Sequence, residues 1–162
     1  MKVWTNVWSD KEWVSDSYKY AHLYNDAALE VKAKMVTKND GIQIGDEEAV
    51  DDSTAEQVCN VVDAHQLVET NLSKKDFMAL VKPFLKRTVA YLKENGKEAR
   101  VPEFQKGATE FVKFIVSRFD EMQMYTDQDC NVEDGIIFAY NKDGEIDPTF
   151  LFFTDCCKEE KF

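Results

Sequence analysis

Long apolar runs are missing from this 162-residue chain. None approaches the roughly 18 residues that a membrane helix requires, and the opening MKVWTNVWSDKEW lacks the uninterrupted apolar centre of a secretory signal. These absences predict a soluble cytoplasmic protein with no membrane span. Histidine is scarce, with only His22 and His65, and no Gly-rich phosphate loop, nucleophile elbow or CxxC pair occurs. Phosphate cradling, acyl transfer and structural zinc binding of the usual spacing therefore have no support in the sequence. Cysteine is limited to Cys59, Cys130 and the adjacent pair Cys156 and Cys157. Without a secretory signal these are expected as free thiols rather than as a disulfide framework.

What is present is enough for one sizeable core, since 44% of the residues are hydrophobic and 12% aromatic. A single domain over 1–162 is expected, mostly monomeric. The net charge of −11 conceals an asymmetry. Residues 74–118 hold eleven of the twenty Lys and Arg against five acids, a balance of +6, and the remainder carries −17. Two electrostatic faces follow from that division.

The basic segment also carries the clearest periodicity. Phe77, Leu80, Val81, Phe84, Leu85, Thr88 and Leu92 recur at the three- and four-residue steps of an amphipathic helix, with Ser73 as N-cap and Glu94-Asn95-Gly96 as the stop. A second run, Phe104, Ala108, Phe111, Val112, Ile115 and Phe119, is opened by Pro102. The expectation is a helical hairpin over 73–120. Pro83 falls inside the first helix and predicts either a bend near 79–83 or a helix start later than Ser73.

On that helix Lys75, Lys82, Lys86 and Lys93 are spaced by seven, four and seven residues, so at about 100° per residue they form one narrow stripe opposite the apolar face. Such a stripe is either a solvated helix face or a docking surface for an acidic protein or polyanion. Nucleic acid is not expected as the partner, because the rest of the chain is acidic and shows no aromatic–basic interleaving.

Outside the hairpin, residues 1–8, 28–36, 57–70, 122–126, 135–140 and 149–154 read as strands from their Val, Ile and aromatic content. Asn141-Lys142-Asp143-Gly144 reads as a turn between the last two. The class is α+β, a sheet body with a helical hairpin. Within the run 57–70, His65 is expected to share one strand face with Asp63, Leu67 and Glu69. That arrangement describes a surface histidine or, as an alternative, a catalytic imidazole in a deep pocket.

The stretch GDEEAVDDS holds Asp46, Glu47, Glu48, Asp51 and Asp52, and no Lys or Arg occurs from 39 through 73. Its spacing cannot make an EF-hand, which needs carboxylates at alternate positions, a Gly at the sixth and a Glu at the twelfth. A solvated mobile loop over 39–56 or a weak calcium site, with Kd on the order of 10⁻⁴ to 10⁻³ M, remain the two readings.

Four segments in order resemble the translationally controlled tumour protein family: MKVWTNVWSDKEWVSDSYK, LEVKAKMV, the run from VVDAHQLVETNLSKKDF through LKENGKEARVPEF, and GIIFAYNKDGEIDPTFLFFTD. The resemblance spans nearly the full chain. It implies a β-tent, an open folded sheet related to a guanine-nucleotide-exchange chaperone fold, with a projecting helical hairpin. It also implies a non-enzymatic binding protein linked to growth and stress survival, found in the cytoplasm, the nucleus or outside the cell without a signal. The partners it implies are tubulin and microtubules, calcium, Ras-like small GTPases, elongation factors and apoptosis regulators. The family's acidic residue associated with GTPase contact matches Glu12, and its microtubule-binding region matches roughly residues 73–116. The chain departs from the family where an Ile-Gly-Gly-Asn-x-Ser signature is replaced by Ile44-Gly45-Asp46-Glu47-Glu48, and where it continues past Thr154-Asp155-Cys156-Cys157 to Phe162.

Overall fold

The run TFLFF forms the buried centre of the protein. In the computed structural model, which describes residues 2–38, 56–128, 132–142 and 144–161, all five residues of β10 (Thr149–Phe153) are buried. An apolar run without alternation is what a strand covered on both faces requires. Phe153 faces the helices, with its ring 4.9 Å from Phe84 and 4.7 Å from Phe111. Phe150 and Phe152 face the other way, toward Tyr125 at 5.6 Å and Trp13 at 6.4 Å. Each such ring pair contributes about 0.5–1.5 kcal/mol beyond its buried area.

Around this strand the described residues build three sheets. A six-stranded antiparallel sheet has the order β3 (Lys19–Leu23), β4 (Ala28–Lys32), β10, β9 (Ile137–Tyr140), β8 (Gln123–Thr126), β7 (Val68–Thr70). A three-stranded sheet places β1 (Lys2–Asn6) between β2 (Glu12–Ser15) and β11 (Cys157–Lys161). A two-stranded ribbon pairs β5 (Met35–Lys38) with β6 (Glu56–Cys59). Between β6 and β7 lies a short helix, α1 (Asn60–His65).

The hairpin is formed by α2 (Lys74–Glu94) and α3 (Val101–Ser117). Ser73 caps α2 as expected, its hydroxyl accepting from the Asp76 amide at 3.1 Å. At the other end Gly96, with φ +72, lets the Lys97 amide turn back to the Leu92 carbonyl at 2.8 Å. Phe77, Val81, Phe84, Thr88 and Leu92 form the buried face of α2, and Phe104, Ala108, Phe111 and Ile115 that of α3. Helix α3 approaches the β3–β4 turn so closely that a Cβ at Gly107 would collide with the Tyr24 carbonyl oxygen. That turn carries Tyr24, Asn25 and Asp26 in the left-handed region, at φ 54, 55 and 66.

Several sequence expectations are corrected. Residues 57–70 are not one strand: they split into β6, α1 and β7, with Gln66 at φ 54 closing the helix. Residues 28–36 divide between two sheets, at Ala33 and Lys34. Strands β2, β3 and β11 were not anticipated. The later start for the first helix is excluded, because α2 begins at Lys74 and continues through Pro83. Ala79 and Pro83 are both exposed, so water can satisfy the Ala79 carbonyl that a proline cannot. Asn141 does lie in the turn between β9 and β10, where Tyr140 pairs with Thr149.

Candidate functional site

Two surfaces stand out, one on the hairpin and one at the end of α1. On the hairpin, Lys75, Lys82, Lys86 and Lys93 are all exposed along one side of α2. Among the described residues none of the four has a carboxylate partner. Their fixed positions come from the helix itself, whose opposite face is buried against the sheet. On α3, Lys106 and Lys113 are exposed as well.

The second surface is a three-residue chain of polar contacts. Nδ1 of His65 lies 3.2 Å from Oε1 of Glu12, and Nε2 lies 3.2 Å from the Tyr18 hydroxyl. The Tyr18 hydroxyl and Nε2 share a hydrogen bond whose donor depends on the ring's tautomer, and the Glu12 carboxylate lies beside Nδ1 as a charge partner. Burial pushes the His65 imidazole below its ordinary value, and the Glu12 charge opposes that shift. Burial, aided by the Glu12 charge, raises the Tyr18 phenol. The His65 side chain is only 5% exposed, whereas that of Glu12 is 49% exposed.

The structure corrects the expected placement of His65 and the deep pocket expected beside it. His65 sits on the last turn of α1, not on a strand face with Asp63, Leu67 and Glu69. Both ring nitrogens are engaged, and the adjoining hollow measures about 170 Å³, well below the 300–1,000 Å³ of ordinary ligand clefts. It is bordered by Lys11, Gln66, Asp127 and Gln128. Glu12, by contrast, keeps half its carboxylate in solvent while its orientation is set by the imidazole.

The carboxylates Asp46, Glu47, Glu48, Asp51 and Asp52, expected as a calcium site in a mobile loop, lie outside the described residues. Among the described residues no group of three or more His, Cys, Asp and Glu is arranged to hold a metal ion, and no helix is long and apolar enough to cross a membrane.

Besides the Glu12–His65–Tyr18 contacts, two further features escaped the sequence reading. A cleft of about 670 Å³ separates the hairpin turn from β11. Across it, Arg100 grips Asp155 with two hydrogen bonds of 2.8 and 3.0 Å. A groove of about 400 Å³ runs between the outer sides of α2 and α3. Neither could be found from periodicity, since each joins residues from separate elements.

Comparison with known proteins agrees with this architecture. The model of the family described as Translationally controlled tumour protein matches residues 1–158. A homologue from Plasmodium berghei is 37% identical and one from Dictyostelium discoideum 34% identical, both over the full length of each chain. Among solved structures, the translationally controlled tumour-associated protein of Schizosaccharomyces pombe superposes with a TM-score of 0.83 at 30% identity, covering all of both chains. The Caenorhabditis elegans structure gives a TM-score of 0.72 at 23% identity, a likeness of fold, covering 100% of this chain and 99% of that one. With its sheet body, its helical hairpin and these matches along nearly its whole length, the chain belongs to the translationally controlled tumour protein family.

Proposed function

We propose that this is a cytoplasmic binding protein rather than an enzyme, and that the lysine face of α2 docks acidic partners, the acidic tails of tubulin and microtubules foremost. The observation that carries this reading is the row Lys75, Lys82, Lys86 and Lys93, exposed and without carboxylate partners among the described residues. A rigid helix holds the row in register, so an acidic partner meets several ammonium groups at once. Each exposed pair is worth about 0.2–1 kcal/mol, so the row as a whole supports a modest, salt-sensitive affinity that also steers encounter. Polyglutamate followed by amide shifts tests it. Shifts concentrated along the lysine side of α2 and abolished by salt support the reading, and shifts spread evenly over the molecule oppose it.

A second reading, regulation of a Ras-like small GTPase through Glu12, is favoured by one observation: the Glu12 carboxylate is half in solvent yet oriented by His65. Nucleotide release from such a GTPase, compared for wild type and Glu12→Val, tests it. Equal release with and without the protein removes the reading.

A further inference from the structure

We infer that the groove between α2 and α3 is a seat for an amphipathic acidic helix, one whose apolar stripe is flanked on both sides by carboxylates. The inference rests on the proposed docking of acidic partners to the hairpin and specifies what, beyond charge, the partner must carry.

The floor and walls of the groove are apolar where they meet. Phe104 and Ala108 of α3 are buried beneath it, and Leu85 and Val89 of α2 line it while half-buried. Leu85 and Val89 therefore complete their burial only when something fills the groove. With about 400 Å³ of open volume, it has room for large apolar side chains rather than a lone methyl group.

Charge decides what kind of segment fits. At about 100° per residue, Leu85 and Val89 lie between the buried face of α2 and the lysine stripe, so Lys82, Lys86 and Lys93 border the groove on that side. Lys86 itself lines it. On α3, Gln105 and Thr109 line the groove, and Lys106 and Lys113 follow about 60° further round. Four of the five acids of residues 74–118 lie elsewhere, Glu103 and Glu110 on the opposite flank of α3 and Asp76 and Glu94 on the far flank of α2, and Glu98 sits in the turn between the helices, outside the groove's lining. An apolar trough lined by Lys86 and by no acid, with further lysines beyond each rim, is complementary to an apolar stripe between two acidic rows. The lined stretch runs from Leu85 to Val89 on α2 and from Phe104 to Thr109 on α3, about 6–8 Å or one to one and a half helical turns. The expected anchors are a pair of apolar residues at i and i+3 or i+4, the spacing that helix-in-groove complexes use.

The test uses two synthetic peptides of about four helical turns with the same Glu, Leu and Ala composition. One is patterned as above and the other is scrambled. Affinities of the full-length protein are measured by fluorescence anisotropy. The expected result is that the patterned peptide binds at least about tenfold more tightly, and that Thr109→Trp, which fills the groove without changing charge, removes the difference. Thr109 is exposed, and a second variant, Val89→Ser, should give the same loss. Equal binding of the two peptides, or patterned binding unaffected by both variants, overturns the groove. If equal binding is nevertheless lost on reversing Lys82, Lys86 and Lys93, docking by charge stands without it. If neither peptide binds at low salt, both readings fall.

Discussion

Nδ1 of His65 lies 3.2 Å from Oε1 of Glu12 and so joins the end of α1 to the start of β2. The contact links a helix that closes in the left-handed region at Gln66 to the small sheet that β1 centres.

Stability should depend on pH through this histidine. Burial is the larger influence and lowers its folded value below the ordinary 6.5 or so, with Glu12 pulling the other way. As pH falls through the window just below 6.5, the unfolded chain takes up the proton first, so stability declines; above that window it is level. The loss is about 1.4 kcal/mol for each unit by which the folded value is depressed. Urea unfolding at pH 7.5 and pH 5.5 for wild type and His65→Gln checks this. The wild type should lose more stability than the variant, and identical losses would contradict the assignment.

Gly107 is a packing requirement, not a source of flexibility. Gly107→Ala gains about 1 kcal/mol of helix propensity, but its Cβ would run into the Tyr24 carbonyl, which cannot move without disturbing three residues at positive φ. Overpacking of this kind costs about 1–3 kcal/mol, so a net destabilisation is expected. An increase in melting temperature would show that the turn yields freely.

The hairpin and the central strand were legible in the sequence because each is set by a local pattern. Ser73, Gly96 and the spacing of Phe77 to Leu92 declare α2, and the aromatic content of TFLFF declares a strand, whose burial on both faces is visible only in the fold. Strand β11, CKEEK, carries charge at four of its five positions and is held by backbone pairing with β1, so composition hides it. Residues 58–62, Val-Cys-Asn-Val-Val, read equally well as strand or helix, and tertiary packing of Val61 settles part of the run as helix. The lysine stripe was visible for the same local reason as α2. The Glu12–His65–Tyr18 chain was not, since His65 stands 47 residues from Tyr18, and neither was the groove between two helices.

Cys156 and Cys157 are buried, and burial holds the Cys157 thiol well above its ordinary range. Cys59 is half-buried and also raised by burial. Alkylation at pH 8 read by peptide mass spectrometry should leave Cys156 and Cys157 unmodified in the native protein and modify both in denaturant. Rapid native labelling of either would mean that the β10–β11 connection opens, and would restore an exposed thiol available for disulfide-linked dimers.

For Asp46, Glu47, Glu48, Asp51 and Asp52 the proposal of a weak calcium site rests on composition alone. Calcium added to isotopically labelled protein, with magnesium at equal ionic strength as control, should move those amides selectively and saturate with Kd on the order of 10⁻⁴ to 10⁻³ M. The same small drift with either ion would leave only a solvated acidic segment.

The central claim, that the hairpin docks acidic partners, is tested most directly by microtubule co-sedimentation of wild type and of the triple variant Lys82→Glu, Lys86→Glu, Lys93→Glu. All three side chains are exposed, so the fold should persist, verified by circular dichroism. The account predicts salt-sensitive pelleting of the wild type and at least about a tenfold weaker association for the variant, the effect of losing roughly 1.4 kcal/mol. Equal pelleting of the two proteins would contradict it.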